Sequence, residues 1–129
     1  MAARAIALVI LVTAASGCNK VRSYLAAESW RWSASGVTET KRRGDVVCYA
    51  IDAYRTKTGK YPSRLEDLQP DFLREIPQPT VGKKKWEYEL IGHGTNYWLQ
   101  VFASEFGPQL GKTTTGGWEY RDDHGIRNI

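Results

Sequence analysis

Asp45 to Pro77, DVVCYAIDAYRTKTGKYPSRLEDLQPDFLREIP, is the stretch whose reading decides the fold. Val46, Val47, Ala50, Ile51 and Tyr54 share one face at 3.6 residues per turn, and Asp52, Arg55 and Lys57 lie opposite, which predicts an amphipathic helix. Thr58-Gly59 supplies a residue that takes positive φ, and Pro62 cannot continue a helix, so the helix stops there. Ser63 with Glu66 three residues later predicts a capping box for a second, short helix over residues 64–68. Pro70 ends that helix, and Pro77 and Pro79 keep the next segment extended. Leu65, Leu68, Phe72, Leu73 and Ile76 make this connector an apolar flap.

Beyond it the period changes from 3.6 to 2. In KKWEYELI (84–91), Trp86, Tyr88 and Leu90 alternate with Glu87 and Glu89, which predicts a half-buried strand. Gly92-His93-Gly94-Thr95 predicts a turn. In NYWLQVFA (96–103), Tyr97, Leu99 and Val101 alternate with Trp98, Gln100 and Phe102, so the two strands form an antiparallel hairpin. Residues 104–117 are expected as a polar loop, 117–121 (GWEYR) as a last strand and 122–129 as a loose tail. The expected fold is α+β, an N-terminal amphipathic helix packed on a small antiparallel sheet, in a single domain over residues 44–121.

Upstream, Arg4 followed by AIALVILVTAA (5–15) has the charge and apolar run of a targeting segment, too short to span a membrane as a permanent helix. It ends in Ala15-Ser16-Gly17-Cys18, which resembles the bacterial lipoprotein signal. The resemblance implies removal of residues 1–17 and lipidation of Cys18, whose thiol carries the diacylglycerol. Asn19 after the Cys implies, by the enterobacterial sorting rule, the outer membrane facing the periplasm. An ordinary secretory signal is the alternative. Residues 18–43 read as a tether interrupted at Ser33-Ala34-Ser35-Gly36. In it, Trp30 and Trp32 either lie at lipid headgroup depth with Lys41-Arg42-Arg43 or pack on the domain. From Asn19 to Arg43 six Lys/Arg face two acids, whereas from Gly44 onward eleven basic residues face twelve acidic ones. The folded part is nearly neutral, so no nucleic-acid partner is expected.

The order of helix, Thr58-Gly59-Lys60-Tyr61-Pro62, Leu65-Glu66-Asp67-Leu68, Phe72-Leu73, Ile76-Pro77 and a Trp/Tyr-rich sheet resembles the globular heads of type II secretion pseudopilins and type IV pilin-like proteins. The resemblance covers residues 45–121. It implies a pilin-like head and a role linked to a secretion or pilus-like system. The filament-forming features of that family do not carry over: the apolar segment precedes Gly17, so cleavage removes it, and residue 22 is Arg where the family has Glu. The late acids Glu105, Glu119, Asp122 and Asp123 are not spaced as the family's calcium loop.

Other chemistry-bearing residues are sparse. Cys48, on the helix, reads as a small buried hydrophobe or, with Cys18 lipidated, as a leftover thiol open to an intermolecular link. His93 lies in a turn and His124 in the tail, and nothing in their spacing implies a metal pair. Gly111-Lys112-Thr113 ends like a P-loop, but Phe106 stands where that motif needs Gly. The aromatic strands are either core or a surface for stacking sugars. The expectation is a lipid-anchored envelope protein, attached to the membrane through Cys18, with a structural or protein-interaction role, no catalysis, no cofactor and no metal. The alternative is a small lipoprotein binding a glycan or a metal. A concave aromatic cleft around Trp98, Trp118 and the 104–117 segment favours the second, and a flat apolar patch or exposed strand edge favours the first.

Overall fold

The computed structural model describes residues 32–103, 107–122 and 125–129. The expected targeting segment, Cys18, Trp30 and the first part of the expected tether lie outside the described residues. Trp32–Ile129 is one compact unit. It is α+β, with one long helix, α1 (Ala34–Thr58), followed by a five-stranded antiparallel sheet. None of the described helices is long and apolar enough to cross a membrane.

The helix starts earlier than expected. Ser33 is its N-cap, and its Oγ accepts a hydrogen bond from the Gly36 N–H at 3.1 Å. The residues that interrupt the tether are therefore the start of the helix, and 34–43 belong to the folded unit. Thr40 is fully buried: its hydroxyl accepts from the Thr80 N–H at 3.1 Å and contacts the Thr80 hydroxyl at 3.0 Å, which donates to the Gly36 carbonyl at 3.1 Å. Gly44 is buried against Trp118, and a Cβ there would lie 2.3 Å from the Trp118 ring. The inward face thus runs Thr40, Gly44, Val47, Cys48, Ala50, Ile51. Val46, expected inside, points outward at 39 % exposure. The helix ends as expected at Gly59 (φ 81), whose N–H donates to the Arg55 carbonyl at 2.7 Å.

In the connector, Tyr61 and Pro62 are buried, and Leu65–Leu68 forms a 3-10 turn with Leu65 and Leu68 in the core. The expected capping box is absent. Ser63 is exposed and the turn starts after Arg64, which has no side-chain cap bond. The turn begins one residue later than a Ser63 cap requires, with Arg64 in the cap position, so the Ser63 hydroxyl does not bond its first N–H groups. Two aromatic side chains fasten the connector to the sheet instead: Tyr88 Oη donates to the Pro62 carbonyl and Trp86 Nε1 to the Pro77 carbonyl, both at 2.7 Å. Arg55 donates to Tyr61 Oη at 2.6 Å and stacks over its ring.

The strands are β1 (Glu87–Ile91), β2 (Asn96–Phe102), β3 (Gln109–Thr113), β4 (Trp118–Asp122) and β5 (Gly125–Asn128), in that order across the sheet. β1 starts later than expected because Lys84 takes positive φ (55) in the preceding turn. β3 lies inside the expected loop and β5 inside the expected tail. Tyr88 pairs with Leu99, Val101 with Leu110 and Leu110 with Tyr120, so one face of the sheet is continuous with the core beneath α1. Trp118 also faces inward. Its ring lies 6.0 Å from that of Trp86, and its Nε1 donates to Asp45 Oδ1 on α1 at 2.8 Å. Trp32 packs on Tyr120, with ring centroids 6.0 Å apart, and its N–H reaches Tyr120 Oη at 3.3 Å.

Candidate functional site

The outer side of α1 carries an apolar opening. Val46 and Tyr49 project from successive turns of the helix, and Tyr49 is 79 % exposed. The connector returns alongside: the N–H groups of Phe72 and Leu73 both donate to the Leu68 carbonyl, at 2.9 and 3.0 Å, and hold these two side chains against the helix. Phe72 packs on Tyr54 at 5.3 Å between centroids, with the Lys57 ammonium 5.7 Å from its ring. Between helix and connector lies a groove of about 410 Å³ lined by Arg42, Asp45, Val46, Tyr49, Ala50, Phe72 and Leu73. That volume is in the range that takes small ligands or anchoring side chains.

One end of the groove is polar and ordered. Arg42 and Arg43 both bond Glu39, at 2.7 and 2.9 Å, and Arg43 also donates to the Gln78 carbonyl at 3.0 Å. Hydrogen bonds from Arg42 and then Arg43 hold the Glu39 carboxyl down to about 2. Asp45 is kept in place by Trp118, with Lys112 3.5 Å away. The rim therefore presents a guanidinium and a carboxylate whose orientations are fixed from below.

The sheet's other face is uncovered among the described residues. Trp98, Gln100 and Phe102 alternate with the core residues of β2, and the indole of Trp98 lies over Gly111 on β3: a Cβ there would be 2.8 Å from Trp98 Nε1. A shallow depression beside it is lined by Gln109, Thr113, Glu119, Arg121 and Ile126, among others. Trp118, expected to share in any outward aromatic surface, is buried.

The remaining candidates scatter. Cys48 is a buried free thiol; burial raises its pKa, and the neighbouring Tyr97 hydroxyl offsets part of that. Burial likewise raises the pKa of the Tyr97 and Tyr88 phenols. His93 is exposed at positive φ (57) in the β1–β2 turn. Glu119 is exposed on β4, and Asp122 pairs with Arg127 on β5. Gly111-Lys112-Thr113 is part of β3, extended and not a phosphate-cradling loop. Cys18, Glu105, Asp123 and His124 lie outside the described residues. No three of the described His, Cys, Asp and Glu side chains come together as a metal ion needs. The apolar groove was missed in the sequence because its two walls are separated by the whole Tyr61–Leu68 turn. The only local signal was an aromatic, Tyr49, on the polar side of an amphipathic helix.

No protein-family model, curated protein or solved structure matches the chain.

Proposed function

We propose that this is a lipid-anchored cell-envelope protein whose pilin-like head docks a protein partner, in a structural role linked to a secretion or pilus-like system. The observation that carries the reading is the groove on α1, where Tyr49, Val46, Phe72 and Leu73 leave apolar surface open beside a fixed Arg42–Asp45 rim. The occupant we assign is the apolar face of an amphipathic helix in an envelope protein. The groove runs along α1 over two turns, which suits anchors at helical spacing. The oppositely charged rim at one end sets the direction in which such a helix lies. Anchoring rests on the Ala15–Cys18 motif, with Cys18 as the first residue of the mature chain, and Asn19 favours the outer membrane, the head facing the periplasm. The role needs neither catalysis nor a cofactor.

Two measurements test this reading. Mass spectrometry of the membrane fraction should find a chain that begins at Cys18 and carries acyl groups; an unmodified Cys18 or retention of residues 1–17 removes the anchor. A photo-reactive phenylalanine at position 49 in cells should give one discrete cross-linked species, identified as an envelope protein by its peptides. The same probe at exposed Lys60 should not give it, and Phe72→Glu should abolish it without lowering the melting temperature by more than a few degrees. Cross-linking that is the same from positions 49 and 60 refutes docking in the groove.

A further inference from the structure

The open face of the sheet carries a second site, independent of the α1 groove. Side chains on this face have unspent hydrogen-bonding capacity. Glu119 and Arg121 project from β4 two residues apart, at about 7 Å spacing, and neither has a partner among the described residues. The Trp98 indole N–H has none either. Gln109 Nε2 donates to Gln100 Oε1 at 2.7 Å, which orients both amides while leaving the far end of each free. These groups surround the depression beside Trp98. Gly111 lets the indole settle across β3, so its ring extends over the strand as a platform and does not stand up from it.

We infer that this face is a carbohydrate-binding subsite, in which a pyranose ring of a neutral glycan stacks against Trp98 and its hydroxyls bond Glu119 and Arg121. Each part follows from the chemistry. The C–H groups on one side of a pyranose form an apolar surface that matches the face of an indole. A carboxylate accepts and a guanidinium donates in pairs, so the two side chains can bond separate hydroxyls of one sugar. Glu119 offsets Arg121, and the third charged residue of the lining, Lys112, turns its ammonium to Asp45 and the Trp118 ring on the inner side of the sheet, which argues against an anionic ligand. The polar lining argues against a lipid or another apolar ligand.

The test uses the purified full chain in a zwitterionic, sugar-free detergent, with cellotetraose and tetra-N-acetylchitotetraose as probes. Two-dimensional ¹H–¹⁵N spectra should show the Trp98 indole N–H shifting saturably with at least one of them while the Trp86 and Trp118 signals stay in place. Trp98→Ala should abolish the response. Trp98→Tyr, which keeps a ring, should retain it more weakly. Glu119→Gln and Arg121→Gln should each weaken binding about tenfold, the effect of losing a hydrogen bond to a charged group. These last two positions are on the surface and leave the fold intact, so the inference stays testable if Trp98→Ala fails to fold. It is overturned if neither sugar moves Trp98, if affinity survives Trp98→Tyr, Glu119→Gln and Arg121→Gln unchanged, or if only an anionic oligogalacturonate binds.

Discussion

Replacing Gly44 by Ala ought to stabilise a helix, and in this protein it should do the reverse. Gly is about 1 kcal/mol worse than Ala in a helix interior, and Gly44 sits in the middle of α1. The added Cβ, however, would lie 2.3 and 2.5 Å from two carbons of the Trp118 ring and 3.0 Å from Trp86. Trp118 cannot swing aside freely, because its Nε1 is bonded to Asp45 and its ring is packed on Trp86. Forcing a methyl into such a contact costs about 1–3 kcal/mol. Displacing the indole from Asp45 adds about 1 kcal/mol, a low value for a charged hydrogen bond because Asp45 is largely exposed. After subtracting the propensity gain, Gly44→Ala should lower stability by about 1–3 kcal/mol in urea denaturation. The sign should invert once the ring is removed. In a Trp118→Leu background the same change should be neutral or stabilising by up to about 1 kcal/mol, so the double-mutant cycle shows a coupling well above the ~0.5 kcal/mol found for independent sites. A Gly44→Ala protein more stable than wild type, or a cycle with no coupling, would refute the close approach of α1 to β4.

Three further outcomes are expected. Leu68→Ala should cost about 2–5 kcal/mol because its side chain is wholly buried, whereas Ser63→Ala should stay within about 0.5 kcal/mol; equal effects in denaturation would undo the description of the connector. Cys48 should be inert to a thiol reagent in the native protein at pH 8, because burial both covers the sulfur and disfavours the thiolate; labelling as fast as in urea would contradict this and revive an intermolecular disulfide. Glu39 should titrate by NMR near 2 and move back toward 4.5 in Arg42→Ala. Since its folded pKa is the depressed one, whatever stability the pair contributes is present above pH 4.5 and is lost as the pH falls from 4.5 toward 2.

The parts of the fold that were legible in the sequence are those where apolar residues alone carry the period. Val47, Ala50 and Ile51 marked the helix face, and Tyr97, Leu99 and Val101 marked β2. The first turns of α1 were hidden because the residues that face inward there are Thr40, buried through hydrogen bonds, and Gly44, buried through having no side chain. β3 was hidden because Leu110 is its only large apolar residue and Gly111 looks like a turn. β5 is exposed throughout and is held by its pairing with β4, which no hydropathy pattern records. Ser63 was read as a cap from its spacing to Glu66, but Pro62 is held by Tyr88 and the chain enters a 3-10 turn in place of an α-helix. The α1 groove was not legible, because it is made by the return of the chain that sets Phe72 beside Tyr49; of the sheet site the alternation of β2 pointed to Trp98, but not to its place across Gly111 or to Glu119 and Arg121 beside it.

The sheet's plain strand order bears on how the chain reaches this structure. Every strand bonds only to its neighbours in sequence, so each ladder closes a short loop, and the sheet can zip hairpin by hairpin with little entropy to overcome at each step. The contacts that tie α1 and the residue before its cap to the far strands, Asp45 to Trp118 and Trp32 to Tyr120, close much longer loops. The chain should therefore build its hairpins early and seat the helix late. Mutations at the α1–β4 contact should then speed unfolding and leave the refolding rate nearly unchanged, while mutations at the β2–β3 pair Val101 and Leu110 slow refolding.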